Sequence, residues 1–158
     1  MILDIGSRLG AVLFGAYIHS NAEKIVGVEM NAELCQIALQ TCSQFRMNEA
    51  RIKVIHAEMS TQIELLAQAD VIVLNNVFDW FVPIDFQVNL WQCLRKNAKP
   101  GALLVTIPSL EKSLRILPNF GNIDMSSWVQ ECQPFRPNRV SKSLLSDKKD
   151  EIYLYTVK

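Results

Sequence analysis

Apolar residues fall into short runs from the second residue onward, and the runs alternate with stretches of helical spacing. Residues 2–5 are strand-like. Residues 10–20 place Leu13, Ala16 and Tyr17 on one helical face, and Ser20-Asn21 ends the pattern. Residues 24–29 (K-I-V-G-V-E) read as a second strand. Asn31 stands where an N-cap would open a long helix to about residue 45, with Leu34, Cys35, Ile37, Ala38, Cys42 and Phe45 as its apolar positions. Residues 51–57 read as a third strand, 60–69 as a short helix and 70–75 (D-V-I-V-L-N) as a fourth strand. The near-continuous apolar run of that fourth strand suits a strand covered on both faces.

Residues 85–96 are helical in pattern, Lys99-Pro100-Gly101 makes a turn, and residues 102–107 form a fifth strand that Pro108 stops. The last third is less regular. Residues 110–117 and 125–132 read as short helices, and residues 151–157 alternate as a final strand. Pro134, Pro137 and the polar run 141–150 read as loop. There is no internal repeat and no linker, so residues 1–158 are expected to form one domain.

Strands separated by helices of this length predict an α/β fold of three layers, with a mostly parallel sheet and an antiparallel C-terminal strand. Ligands of such sheets bind beyond the carboxyl ends of the strands. The candidate site therefore lies in residues 4–10, 29–30, 58–59, 75–78 and 108–109.

Composition narrows the classes. The chain is 49% hydrophobic and 20% charged, as a soluble globular domain is. Sixteen basic and sixteen acidic side chains cancel, which gives no electrostatic argument for nucleic acid or a membrane surface. No apolar stretch approaches the roughly 20 residues that span a bilayer, and Asp4 interrupts any signal-like segment. An intracellular protein, cytoplasmic or nuclear, is expected. Cys35, Cys42, Cys93 and Cys132 form no C-x-x-C pair and predict no metal site. They read as small apolar residues of a reducing compartment.

The first strand ends in D-I-G-S-R-L-G. A dinucleotide loop wants G-x-G-x-x-G over a helix N-terminus. Here the glycines are Gly6 and Gly10, and Asp4 precedes the first by two. An acid so close to the turn repels a pyrophosphate and suits a cationic ligand, which makes a nicotinamide dehydrogenase the weakest reading. S-adenosylmethionine carries a sulfonium and an ammonium, and it needs acids for the amino group and the ribose.

Asp4 to Gly10, taken with the segments after the later strands, resembles the Rossmann-like, class I S-adenosylmethionine-dependent methyltransferases. Strand, acid, glycine turn matches that family's first motif except at Arg8, where the family has its middle glycine. The resemblance covers residues 2–107 and implies a Rossmann-like sandwich with S-adenosylmethionine as cofactor. It places Asp4, Gly6, Ser7 and Gly10 around the cofactor, Glu29 on the ribose with Met30 beside it, and Glu58 near the adenine amino group with Met59 against the ring. The family's fourth motif falls on Asn75-Asn76-Val77-Phe78, with Asn75 at the cofactor and Asn76, Val77 and Phe78 facing the substrate. The K-P-G turn at residues 99–101 also matches. Asp4-Ile5-Gly6-Ser7, Gly27-Val28-Glu29 and Asn75-Asn76 followed by Phe78 are in addition similar to histone-lysine methyltransferases of the disruptor-of-telomeric-silencing group, which implies a protein amine as one acceptor class. A small-molecule acceptor stays open beside it, and no catalytic base is identified.

Each of these residues also has a plain structural reading. Asp4 and Glu29 are the hardest to explain that way, since a buried acid is costly unless paired. Glu58 reads equally well as a solvated loop acid. Asn75 and Asn76 could bond local backbone in a turn. Phe78, Trp80 and Phe81 could simply be buried, and His19 and His56 read as structural.

Three departures from the family are visible. The chain opens on its first strand, where the family has helices that cover a sheet face. This predicts exposed apolar surface, with association through it or instability, and it leaves a fragment, a short isoform or a truncated gene model open. Arg8 must adopt the glycine's conformation or block the loop. Only one convincing strand follows residue 107, where the family has two. Arg8 and the missing cover support an alternative, an inactive methyltransferase-like domain that serves as an interaction module.

Overall fold

The computed structural model describes residues 1–78, 82–118, 124–132 and 152–158. The predicted strands form as β1 (Ile2–Ile5), β2 (Ile25–Glu29), β3 (Ile52–His56), β4 (Val71–Asn75) and β5 (Leu103–Ile107), joined by β6 (Val129–Cys132) and β7 (Tyr153–Val157). They make one seven-stranded sheet in the order β3-β2-β1-β4-β5-β7-β6. The first five pair in parallel, and β7 pairs antiparallel with both β5 and β6. The order reverses between β1 and β4, the switch point beside which such sheets bind ligands at their carboxyl ends. Register places Asp4 between Gly27 and Val73.

The helices are α1 (Ala11–His19), α2 (Ala32–Gln44), α3 (Ile63–Gln68), α4 (Ile84–Asn97), α5 (Leu110–Arg115) and α6 (Met125–Trp128). Strand alternation divides the core into two. Leu3, Ile5, Val26, Val28, Ile72, Leu74 and Leu104 face one side and pack with Leu66, Leu94, Leu110 and Trp128 from α3, α4, α5 and α6. Ile25 and Ile52 face the other side and pack with Leu13 of α1 and Cys42 of α2. On that second side β4, β5 and β7 carry aligned rows, Val71 beside Leu103 and Val73 beside Val105 and Leu154. These five are half-buried and belong to neither core. The sandwich is thus three-layered over β1 to β3 and thinner over β4, β5 and β7 among the described residues.

Two predicted elements differ. Residues 125–132 are not one helix: a single turn ends at Trp128, and V-Q-E-C continues as β6, with Val129 opposite Val157 and Cys132 opposite Leu154. A waiting partner strand outweighs the local helical pattern. The family's second late strand is therefore present. Residues 60–69 divide into a 3₁₀ turn (Met59–Thr61) and α3. Ser60 Oγ donates to Glu58 Oε1 at 2.7 Å and Thr61 Oγ1 to the Glu58 carbonyl at 2.7 Å, so side chains compete for the helix's first turn. The loop expected at Pro134, Pro137 and 141–150, and the aromatics Trp80 and Phe81, lie outside the described residues. No described helix is long and apolar enough to cross a membrane.

Candidate functional site

The turn after β1 is built by hydrogen bonds to the neighbouring strand. The Gly6 and Ser7 N–H groups both donate to the Val28 carbonyl, at 2.8 and 3.2 Å, and Gly10 N–H donates to the Ser7 carbonyl at 2.8 Å. Gly6 (φ 68°) and Gly10 (φ 86°) take left-handed backbone that glycine adopts without strain. A Cβ on Gly6 would stand 2.7 Å from Val77 Cγ1, and one on Gly10 2.8 Å from the Phe14 ring. The first contact locks the cofactor-loop candidate against the substrate-loop candidate. Gly27 does similar work beneath the turn: a Cβ there would meet Leu13 Cδ1 and Ser7 Oγ at 2.6 Å each. Ser7 Oγ is buried with no partner among the described residues.

Arg8 takes φ 48°, the left-handed conformation the middle glycine of the family would supply. Its backbone N–H donates to Glu29 Oε2 at 2.9 Å. Glu29 Oε1 accepts from Asn31 N–H at 2.8 Å. Glu29, 6% exposed, thus bridges the first turn to the start of α2. A carboxylate oxygen has two acceptor directions, so each keeps one for another donor. Asn31 caps α2 as its sequence position predicts, its side chain accepting from Glu33 N–H and Leu34 N–H at 2.9 and 3.1 Å.

Asp4 is 3% exposed, near the carboxyl end of β1. Burial first, and the Glu29 charge second, push its carboxyl up to about 7. It accepts no hydrogen bond among the described residues. Neither Asp4 nor Glu29 forms a salt bridge among the described residues, and two buried acids placed side by side suit a cationic group.

The other candidates separate. Met30 is 65% exposed at the tip of β2, whereas Met59 is 6% exposed and belongs to the main core. Glu58 is exposed and bonded to Ser60, as a solvated loop acid would be. Asn75 is exposed at the end of β4, and Asn76 (φ 52°) turns the chain with its N–H on the Ile107 carbonyl at 2.7 Å. Val77 packs on Gly6. Phe78 is 4% exposed and meets Trp91 edge-on, with ring centroids 4.9 Å apart. A slot of about 10 Å³ runs behind this segment, between Asn76, Val77 and Phe78 on one side and Ile107 and Pro108 on the other. Thr106 Oγ1 and Trp91 Nε1 border it, buried and without partners among the described residues. Thr106 and Trp91 escape sequence reading because their spacing is that of ordinary core positions. No group of His, Cys, Asp and Glu that could hold a metal occurs among the described residues.

Strand order, switch point and glycine turn define a Rossmann-like α/β fold of the methyltransferase type. Over 98% of this chain and 84% of the other it is similar to a putative methylase from Haemophilus influenzae, at 17% identity and a TM-score of 0.60. Over 99% and 79% it is similar to an RNA methyltransferase from Salinibacter ruber in complex with S-adenosyl-L-homocysteine, at 15% identity and a TM-score of 0.62. PKMT2 from Rickettsia typhi, in complex with AdoHcy, aligns with 66% of this chain and 20% of its own at 23% identity, with a TM-score of 0.54. Compared with family models and with curated protein sequences, the chain matches none.

Proposed function

We propose that the chain is an S-adenosylmethionine-dependent methyltransferase, or the cofactor-binding core of one. The observation that carries this reading is the pair of buried acids, Asp4 and Glu29, on either side of a glycine turn at the carboxyl edge of a parallel sheet. The residues fit the cofactor's chemistry. Asp4 would gain an ammonium as counter-charge, and the free acceptor directions of Glu29 suit the two hydroxyls of a ribose. Gly6 and Gly10 keep the loop clear where a Cβ would collide, and Met30 offers an apolar side chain beside the acid. Glu58 would reach the adenine edge only from the solvent side of the site, and Met59 would support that region from the core. When bound, the cofactor supplies an activated methyl group on sulfur.

Transfer to an acceptor requires alignment above all, and deprotonation where the acceptor is an amine. Asn75 and Asn76 lie at the carboxyl end of β4 with side-chain carbonyls that can orient an amine, and Val77 fixes their loop against Gly6. An amine acceptor, of a protein or of a small molecule, is the reading those amides favour. Arg8 does not count against activity, because its backbone already takes the glycine conformation and its N–H is used.

Isothermal titration with S-adenosylhomocysteine tests the assignment. Saturable binding is expected, and no binding at millimolar ligand overturns it.

A further inference from the structure

We infer that His56 is a positioning residue for Met30, holding that side chain where a flat ring would lie over it; this rests on the cofactor reading above. His56 ends β3 directly opposite Glu29, the last residue of β2. Its ring Nε2 lies 3.0 Å from the Met30 carbonyl oxygen. A carbonyl can only accept, so Nε2 carries the hydrogen.

The bond completes a clasp around one residue. The Glu29 carbonyl accepts from Ala57 N–H at 3.0 Å and from the Cys35 thiol at 3.4 Å. The Asn31 N–H donates to Glu29 Oε1, and the Asn31 side chain caps α2. The backbone on both sides of Met30 is therefore fixed by β3, by α2 and by Glu29 itself. What the clasp presents is an unbranched thioether side chain, largely exposed, beside the acid assigned to the ribose. An exposed methionine on ordinary turn backbone would sample many directions and lose that freedom on binding. Here the backbone part of that ordering precedes the ligand.

The alternative source of an apolar contact, Met59, is turned into the core. Among the described residues Met30 keeps its apolar surface free beside Glu29, and the His56 ring reaches its carbonyl. His56 lies on the edge strand and is itself exposed, so its ring has no core to fill. The hydrogen bond is its contribution.

A double-mutant cycle read by calorimetric titration with S-adenosylhomocysteine tests the inference. His56→Ala and Met30→Ala should each weaken binding about two- to tenfold. In the Met30→Ala background the His56 substitution should cost less than about twofold, because the side chain it positions is gone. His56→Gln, which can still donate, should bind close to the parent. His56→Phe keeps a ring without a donor, and it should match His56→Ala. Adenosine alone should lose the same factor as the full ligand. Equal losses from His56→Ala in both backgrounds, or parental affinity in His56→Phe, overturn the inference while leaving the cofactor reading standing. Absence of binding by the parent chain overturns that reading first.

Discussion

The backbone N–H of Arg8 and the carboxylate of Glu29 meet at 2.9 Å, although the two residues belong to different strand-to-helix connections. The bond explains how an arginine can stand at a glycine's place. The left-handed turn points the N–H of residue 8 at the acid, and the side chain is exposed. Left-handed backbone costs a residue with a Cβ of order 1–2 kcal/mol, and the charge-assisted bond offsets about that much. Arg8→Gly should therefore keep both the fold and cofactor binding, with stability changed by about 1 kcal/mol or less. Arg8→Val, branched at Cβ, should lose about 1–3 kcal/mol. Urea denaturation and titration with S-adenosylhomocysteine check both. Loss of binding in Arg8→Gly would show that the guanidinium itself contacts the ligand.

Glu29 serves the turn and the ligand together, so its removal should be felt twice. Glu29→Gln keeps the shape but places an NH₂ opposite one of two N–H donors, Arg8 or Asn31. It should destabilise the free protein by about 1–3 kcal/mol and weaken S-adenosylhomocysteine by a similar free energy. A stability loss with unchanged affinity would restrict Glu29 to holding the turn.

Much of this is legible in the strand pattern. The five parallel strands have strong apolar runs and clear breakers, and α2 announces itself by its Asn31 cap. The acids Asp4 and Glu29 are legible because a charge inside an apolar run has few reasons to be there. β6 is not legible: V-Q-E-C is too short to show a period, and its partner is more than twenty residues away. Motif position assigns Met59 and Phe78 to the site, and the structure puts their side chains in the core, because position along a motif does not fix the direction of a side chain. The His56 bond is hidden for the same reason, since only strand register brings it to Met30.

Glycine substitutions separate the turn from the rest of the chain. Gly6→Ala meets both left-handed backbone and Val77 at 2.7 Å, and Gly27→Ala meets Leu13 and Ser7 at 2.6 Å. Each should cost about 1–3 kcal/mol. Gly15 lies within α1, and a Cβ there would meet nothing within 4 Å, so Gly15→Ala should stabilise by about 0.5–1 kcal/mol. Thermal or urea unfolding of the three variants gives the contrast. A destabilised Gly15→Ala would contradict the packing.

The thin side of the sheet makes a different prediction. Leu104 is fully buried, and Leu104→Ala should cost about 2–5 kcal/mol. Its neighbour Val105 faces the half-buried row with Val73 and Leu154, where a lysine can keep its charge in water. Val105→Lys should cost about 1 kcal/mol or less. The self-association expected from the sequence is tested by the same variant. Sedimentation velocity of the parent should show concentration-dependent association that Val105→Lys abolishes; a monomeric parent would sink that expectation.

The most direct electrostatic prediction concerns Asp4, whose carboxyl is raised from 3.8 to about 7 by burial and by the Glu29 charge. Folding favours its neutral form, so the free protein binds more protons folded than unfolded between those values. The contribution is fully present below about pH 4 and is lost as pH rises through about 7; a shift of this size corresponds to a few kcal/mol. Asp4→Asn should remove that slope and stabilise the free protein at pH 8. Binding of a ligand with an ammonium group has the opposite sign, because it needs the carboxylate. Affinity for S-adenosylhomocysteine should rise by up to about tenfold per pH unit toward 7 and then level off, and Asp4→Asn should flatten the profile. Calorimetric titration at several pH values, beside urea unfolding without ligand, measures both slopes. Two slopes of the same sign would mean that Asp4 does not receive the ligand's cationic end.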